Sequence, residues 1–208
     1  MVTKNLTATL LLFTTFLFIS GSLSAVHSPP TLSATTEDLD FIRTSCNVTR
    51  YPDLCFKSLA SYASTVHGNT AKLTKLSVDA AITQAKSTVA FLSKLSLSAA
   101  EVKDCVSYVQ DAMDSMRDCI PPLKNIIGGG VVAAAAPSSA ASPLAETFRS
   151  QVDDVLTYMS AALTSEETCT DDYEDEEGKI KTMVCDRVNN LKMYSSNALA
   201  LASSLAKK

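Results

Sequence analysis

The chain has 208 residues, of which 18 are basic and 22 are acidic, and it contains no tryptophan. This length is enough for one domain with a real core, and the net charge of −4 excludes nucleic acid as a partner, since no basic stripe could neutralise its phosphates. With 6 glycines and 7 prolines among many Ala, Leu, Ser and Thr residues, the composition favours packed helices over sheets.

Residues 1–25 have the pattern of a secretory signal peptide. Lys4 precedes an apolar run, and Ser22 and Ser24 are small enough for positions −3 and −1 of a cleavage site after Ser24. The run is short for a membrane anchor and no other segment could span a bilayer, so we expect no membrane association after signal removal. Residues 26–36, rich in Ser, Thr and Pro, are predicted to be a disordered tail.

Residues 37–66 are predicted to form a short helical hairpin. One face of residues 38–46 is apolar, and Pro52 stands where a second short helix can begin. The turn between these helices brings Cys46 and Cys55 close together. A bridge closing so small a loop stabilises the fold by roughly 2–3 kcal/mol in the chain-entropy model.

An N-glycosylation sequon, Asn47-Val48-Thr49, occupies the predicted hairpin turn. Asn47 is therefore a candidate glycosylation site. Two alternatives remain open: the match arises by chance, or the neighbouring cysteine confines the sequon too closely for the transferase. A second match, Asn5-Leu6-Thr7, would leave with the signal peptide.

Residues 70–206 contain four segments whose apolar positions step alternately by three and four residues, as in a helix buried along one stripe. The predicted helices cover residues 70–97, 102–120, 145–164 and 178–205. Four narrow stripes predict an antiparallel four-helix bundle, so the fold class is all-α. Pro121-Pro122 is expected to end the second helix, and residues 123–143, rich in Gly and Ala, are expected to form a flexible linker.

Six cysteines in a secreted chain indicate disulfides, and no C-x₂-C zinc spacing is present. Spacing alone leaves fifteen pairings open. In an up-down bundle, however, Cys105 and Cys169 lie at the same end, and a bridge closing so long a loop contributes roughly 4 kcal/mol. Cys119 lies about 20 Å further along its helix. We therefore expect Cys119 and Cys185 to be buried free thiols.

Catalytic chemistry has few candidate residues. The histidines are His27, in the predicted tail, and His67, in a polar turn, so no Ser/His/Asp or Cys/His set can be assembled. Asp111 and Asp114 lie three residues apart on a helix, as a catalytic pair of carboxylates could. Their helix face is predicted to be exposed to solvent, so we interpret them as solvated surface charges. The acidic run at 171–177 lacks the residue order of an EF-hand and favours the start of the following helix. We expect no enzyme activity, no catalytic residue, no metal site and no cofactor.

Four strings of the chain occur in a characteristic order. They are Cys46-x-x-Thr49-x-Tyr51-Pro52-x-x-Cys55-x-x-Ser58-Leu59, Asp104-Cys105-x-x-Tyr108-x-x-Asp111-Ala112-x-Asp114, Ser160-Ala161-Ala162-Leu163-Thr164 with Thr168-Cys169-x-Asp171, and Ser196-Asn197-Ala198-Leu199. Together they resemble the motifs of the plant invertase and pectin methylesterase inhibitor family, over residues 37–206. Asp172 and Tyr173 replace the usual Gly-Phe after the last motif cysteine, and the linker at 123–143 is longer than expected.

This resemblance implies a hairpin and four-helix bundle with bridges at Cys46–Cys55 and Cys105–Cys169. It also implies a protein partner: members act in the plant cell wall, or in the vacuole, by occluding the active-site cleft of an enzyme. Exposed faces within 104–118, 146–168 and 178–200 would make the contact, and no individual binding residue is assigned.

Pectin methylesterase is the favoured target, because the chain lacks the Pro-Lys-Phe motif associated with cell-wall invertase inhibitors. Inhibition of acid invertase is the alternative. A pro-region of a larger pectin methylesterase would need a catalytic segment after Lys208, which we do not expect. A structural or lipid-binding bundle is disfavoured because the narrow apolar stripes leave no room for a lipid cavity.

Overall fold

The computed structural model describes residues 35–129 and 143–207. The predicted signal peptide, nearly all of the predicted tail and residues 130–142 of the predicted linker lie outside the described residues. The α-helices are α1 (Thr36–Cys46), α2 (Pro52–Leu59), α3 (Ala63–Val66), α4 (Thr70–Leu95), α5 (Lys103–Asp118), α6 (Ile120–Gly128), α7 (Pro143–Asp171) and α8 (Lys179–Leu205). No strand occurs in this part of the chain, and the all-α prediction is confirmed.

The long helices α4, α5, α7 and α8 form the predicted four-helix bundle. Helix α5 packs against α4 and α7, and α8 packs against the other sides of the same two helices. The predicted stripe of the second helix is buried along its whole length. Its members are Val102, Cys105, Val109, Ala112, Met116 and Cys119. A spacing of three and four residues places these side chains on one face, and that face forms the core.

The hairpin formed by α1, α2 and α3 has a small apolar core of its own. Ile42, Leu59 and Val66 are fully buried there, and they pack with Leu73 of α4 and Leu201 of α8. Helix α1 begins within the predicted tail, since Thr35 caps it. The Thr35 side chain accepts from one backbone N–H of the first turn, which satisfies a group that the helix leaves open.

The prediction that Pro121-Pro122 ends the bundle's second helix and opens a linker at 123 was wrong for residues 123–128. The helix breaks at Cys119, and α6 begins directly afterwards with the prolines in its first turn. A proline is tolerated there because the first N–H groups of a helix have no partner within the helix. Leu123 and Ile126 continue the apolar stripe at the same spacing and are buried.

Helix α7 extends to Asp171, seven residues beyond its predicted end at Thr164. Glu166 and Cys169 continue its buried stripe, so packing holds these residues in the helix. The predicted acidic run at 171–177 therefore begins at the last residue of this helix. Among the described helices, none is long and apolar enough to cross a bilayer.

Candidate functional site: the acidic face of a braced bundle

Two disulfides brace the structure. Cys46 and Cys55 join α1 to α2 with their Cα atoms 5.6 Å apart, and Cys105 and Cys169 join α5 to α7 with their Cα atoms 4.7 Å apart. The second bridge ties the start of α5 to the end of α7. It therefore fixes the relative position of the two helices at that end of the bundle.

The two remaining cysteines are free thiols in different surroundings. Cys119 is buried, its thiol lies 3.8 Å from the carbonyl oxygen of Val155, and burial raises its pKa to about 12. A thiol with so high a pKa does not react at physiological pH. Cys185 is half-buried, so the expectation of a buried thiol was wrong for it. It lies one position off the buried stripe of α8, beside Val184.

Charge divides between two sides of the bundle. Helices α5 and α7, which pack together, expose nine acids and three bases. The acids are Asp104, Asp111, Asp114, Asp118, Glu146, Asp153, Asp154, Glu167 and Asp171, and the bases are Lys103, Arg117 and Arg149. We call these twelve residues the acidic face. A surface dominated by one sign of charge attracts a partner of the opposite sign.

Helices α4 and α8, which also pack together, carry the opposite excess. Their bases are Lys72, Lys75, Lys86, Lys94, Lys179, Lys181, Arg187 and Lys192, and their acids are Asp79 and Asp186. Several of these cations are already engaged. The Lys75 Nζ lies 2.7 Å from the Asp79 carboxylate, and the Arg187 guanidinium lies over the Phe91 ring.

A regular row of carboxylates runs along α5 in the acidic face. Asp104, Asp111 and Asp118 are exposed, and none forms an ion pair with a described residue. Their spacing of seven residues places them on one side of the helix, about 10.5 Å apart at each step. Asp114, one of the two predicted solvated carboxylates, pairs with Arg117, whereas Asp111 has no such partner. The row is suited to binding a protein with spaced cations.

One buried amide of the bundle forms hydrogen bonds with the backbone of the hairpin. Asn197 of α8 is buried, and its Oδ1 accepts from the Tyr51 backbone N–H at 3.1 Å while its Nδ2 donates to the Tyr51 carbonyl at 3.0 Å. Both residues belong to the strings quoted above. The sequence therefore contained a signal for this contact, although spacing could not show that the two residues meet.

A buried carboxyl joins α7 to α8, and sequence reasoning missed it. Glu166 is fully buried, and its Oε1 accepts from the Ser195 hydroxyl at 2.6 Å, while its Oε2 has no hydrogen-bond partner among the described residues. Burial raises the pKa of this carboxyl to about 8, against the opposing effects of the Ser195 hydrogen bond and the Lys192 charge. The signal available was its position, four residues after Ala162 on the buried stripe of α7.

The loop between α7 and α8 is anchored at Tyr173, one of the two residues that depart from the family strings. Tyr173 is buried, and its hydroxyl donates to the Glu101 carbonyl at 3.0 Å. Acids of this loop surround an open cavity together with Lys179 and Lys181. Within residues 35–129 and 143–207, no group of three or more His, Cys, Asp or Glu side chains is arranged to hold a metal ion.

These features define a disulfide-braced helical bundle with a fixed, charged exterior. A profile of the plant invertase/pectin methylesterase inhibitor family matches residues 40–201, and the chain belongs to this family. The family is named for inhibitor proteins, and the relatives below are named as inhibitors.

Two Arabidopsis thaliana relatives match nearly the whole chain. Pectinesterase inhibitor 11 is 32% identical over 94% of this chain and 96% of its own length. Pectinesterase inhibitor 9 is 30% identical over 94% and 95%, respectively. The crystal structure of a mutant form of an Arabidopsis pectin methylesterase inhibitor matches with a TM-score of 0.57, at 18% identity over 78% of this chain and 95% of that chain. The two proteins therefore share their fold.

Proposed function

We propose that this protein inhibits a pectin methylesterase by binding it and covering its active-site cleft. The observation that carries the proposal is the match, over almost the full length of both chains, to relatives named pectinesterase inhibitors. Since the match runs from end to end, the inhibitory unit of those relatives has a counterpart throughout this chain. Acid invertase is the second candidate target, because the family's name includes invertase inhibitors.

Rigidity of the bundle supports this mode of action. The Cys105–Cys169 bridge and one continuous core hold the long helices in place, and the Cys46–Cys55 bridge holds the hairpin, so few groups must be ordered when the protein binds. A pre-organised surface binds more tightly for the same contacts, because less conformational entropy is lost. An inhibitor of this kind acts by fit and occlusion and needs no catalytic group.

The acidic face is our candidate for the surface that meets the enzyme. Its nine carboxylates would attract a basic esterase over a distance set by the ionic strength. Such steering raises the association rate more than it slows dissociation. The same proposal places the protein outside the cell, in the plant cell wall, and the signal-peptide pattern of residues 1–25 supports this location.

The test compares inhibition of a basic plant pectin methylesterase and of an acid invertase by the same oxidised protein. We expect the esterase to lose activity at near-equimolar inhibitor and the invertase to keep its activity. The reverse result would transfer the proposal to invertase. Inhibition of neither enzyme would contradict the inhibitor function.

Neutral variants of the acidic row test the surface. In the triple variant Asp104→Asn, Asp111→Asn, Asp118→Asn, the association rate with the esterase should fall several-fold at low salt and approach wild type at high salt. A matched control on α4, Lys72→Gln, Lys86→Gln, Lys94→Gln, removes as many charges from the other side and should not slow association. Equal slowing in both variants would refute the assignment of the acidic face.

A further inference from the structure

The hairpin turn presents the two functional residues of its sequon very differently. Asn47 follows the last residue of α1 and is exposed, and the next residue, Val48, is 61% exposed. Thr49, by contrast, is 7% exposed, and its hydroxyl donates to the Cys46 carbonyl at 2.8 Å. The Thr49 backbone N–H donates to the same oxygen at 3.0 Å. The asparagine is therefore accessible in the folded turn, while the hydroxyl is already bound.

N-glycosylation needs both groups at once. The Asn47 amide nitrogen would attack C1 of an oligosaccharide carried on a lipid diphosphate. The C1–O bond breaks, the lipid diphosphate leaves and the amide loses one proton. The transferase recognises the sequon as an extended, accessible segment through its Asn side chain and its Thr hydroxyl. The folded turn is helical at Asn47 and buries Thr49, so it does not offer that segment.

The Cys46–Cys55 bridge restrains this turn. Its two cysteines flank the sequon, Cys46 directly before Asn47 and Cys55 six residues after Thr49. Once the bridge has closed, it ties the two ends of the segment together and opposes extension of Thr49 out of the turn. The opposite order meets no obstacle, since a glycan on exposed Asn47 would project into solvent and leave the turn free to close.

We propose that Asn47 is an N-glycosylation site that is used in competition with closure of the Cys46–Cys55 bridge. The glycan must be attached before the bridge closes. Chains that close the bridge first stay unmodified, so the protein leaves the secretory pathway in a glycosylated and an unglycosylated form. Cys55 enters the oxidising compartment about one second after Asn47, because synthesis proceeds at about 5–20 residues per second. Disulfide formation takes seconds or longer, so transfer and bridge closure overlap in time.

This inference depends on entry into the secretory pathway and not on the enzyme that the protein inhibits. The experiment expresses the full chain in a secreting eukaryotic host and measures the glycosylated fraction by mass, before and after removal of N-glycans. Material from cells and from medium is pooled, because a variant that folds poorly is retained in the cell but keeps its glycan. Protein in the medium demonstrates entry.

The decisive comparison is wild type against Cys55→Ser. In the wild type we expect a mixture of glycosylated and unmodified protein. In Cys55→Ser the ratio of glycosylated to unmodified protein should rise at least twofold, with occupancy of Asn47 approaching completion. A brief reducing pulse given to wild-type cells should produce the same rise without any substitution. Asn47→Gln should abolish the glycan in both backgrounds.

A matched control removes the other bridge. Cys169→Ser prevents the Cys105–Cys169 bridge and disturbs folding elsewhere, so occupancy at Asn47 should stay at the wild-type level. A rise in this variant equal to that of Cys55→Ser would overturn the local competition. Equal occupancy in wild type and Cys55→Ser would overturn it too. Absence of a glycan in every variant would overturn the site itself.

Discussion

Replacing the buried Glu166 carboxyl with a neutral amide should change how the stability of the protein depends on pH. In the folded protein this carboxyl has its pKa raised to about 8 by burial, compared with an ordinary value of 4.5. The proton is therefore held more tightly when the chain is folded. The stability associated with this group is fully present below about pH 4.5 and is lost as the pH rises through about 8.

The size of this effect follows from the two pKa values. Each pH unit between them removes about 1.4 kcal/mol from the free energy of unfolding, and the whole interval removes on the order of 5 kcal/mol. Two neighbouring charges act on this pKa in opposite directions: Lys192 on α8 lowers it and Glu167 on α7 raises it. Oε2 lacks a partner among the described residues, so no hydrogen bond there compensates the ionised form.

Urea unfolding followed by far-ultraviolet circular dichroism at pH 5, 6, 7 and 8 measures the dependence. The Glu166→Gln variant keeps an oxygen that accepts from Ser195 but does not ionise. We expect it to be close to wild type at pH 5 and more stable by several kcal/mol at pH 8. The control Glu167→Gln removes an exposed carboxylate 3.7 Å from Lys192 and should follow wild type within about 1 kcal/mol. Parallel pH profiles for wild type and Glu166→Gln would refute the reasoning.

Three further outcomes follow from the structure. Asn197→Asp keeps the acceptor for the hairpin backbone but loses the donor and buries a charge. Thermal and urea unfolding should therefore show a free energy of unfolding lower by about 2–4 kcal/mol. The control Asn189→Asp, on the exposed side of the same helix, should lower it by less than about 0.5 kcal/mol. Leu123→Ala should destabilise the protein by about 2–5 kcal/mol, because Leu123 of α6 is buried in the core. The control is the exposed Lys124→Ala, and equal stability of the two variants would show that residue 123 belongs to a linker. Cys119 should be labelled by iodoacetamide only after unfolding, as peptide mass mapping can show, and rapid labelling in the native protein would contradict its burial.

Periodicity predicted the bundle well because each long helix buries one narrow stripe. The predicted stripe of α5 is buried, and so are the α8 residues that repeat at the same spacing. These are Val184, Val188, Leu191, Ser195, Ala198, Ala202 and Leu205. A stripe of this kind is decided by local spacing, so it can be read without knowing what packs against it. Spacing could not identify the protein family. The four sequence strings that resemble the family motifs did so.

Prediction failed where the structural role of a residue depends on what it packs against or bonds to. Two consecutive prolines usually stop a helix, yet Pro121 and Pro122 lie in the first turn of α6, where no N–H is needed. Glu166 interrupts an apolar stripe, and only Ser195 across the helix interface explains its place. A hydrogen bond between side chains 29 residues apart has no local signature in the sequence.

Tyr51 and Asn197 show the same limit at longer range. Their hydrogen bonds join residues 146 positions apart, and they fix the hairpin on the bundle. Spacing could not pair them, because the contact depends on how the hairpin packs against the bundle. The acidic face is a further case: its charges are scattered through two segments, and they form one surface because α5 packs against α7.

Titration of a pectin methylesterase with the oxidised, secreted protein tests the central claim most directly. The account predicts that residual esterase activity falls linearly and reaches its minimum near one inhibitor per enzyme, with an acid invertase unaffected at the same concentrations. Full esterase activity at a large molar excess, across several basic isoforms, would contradict it.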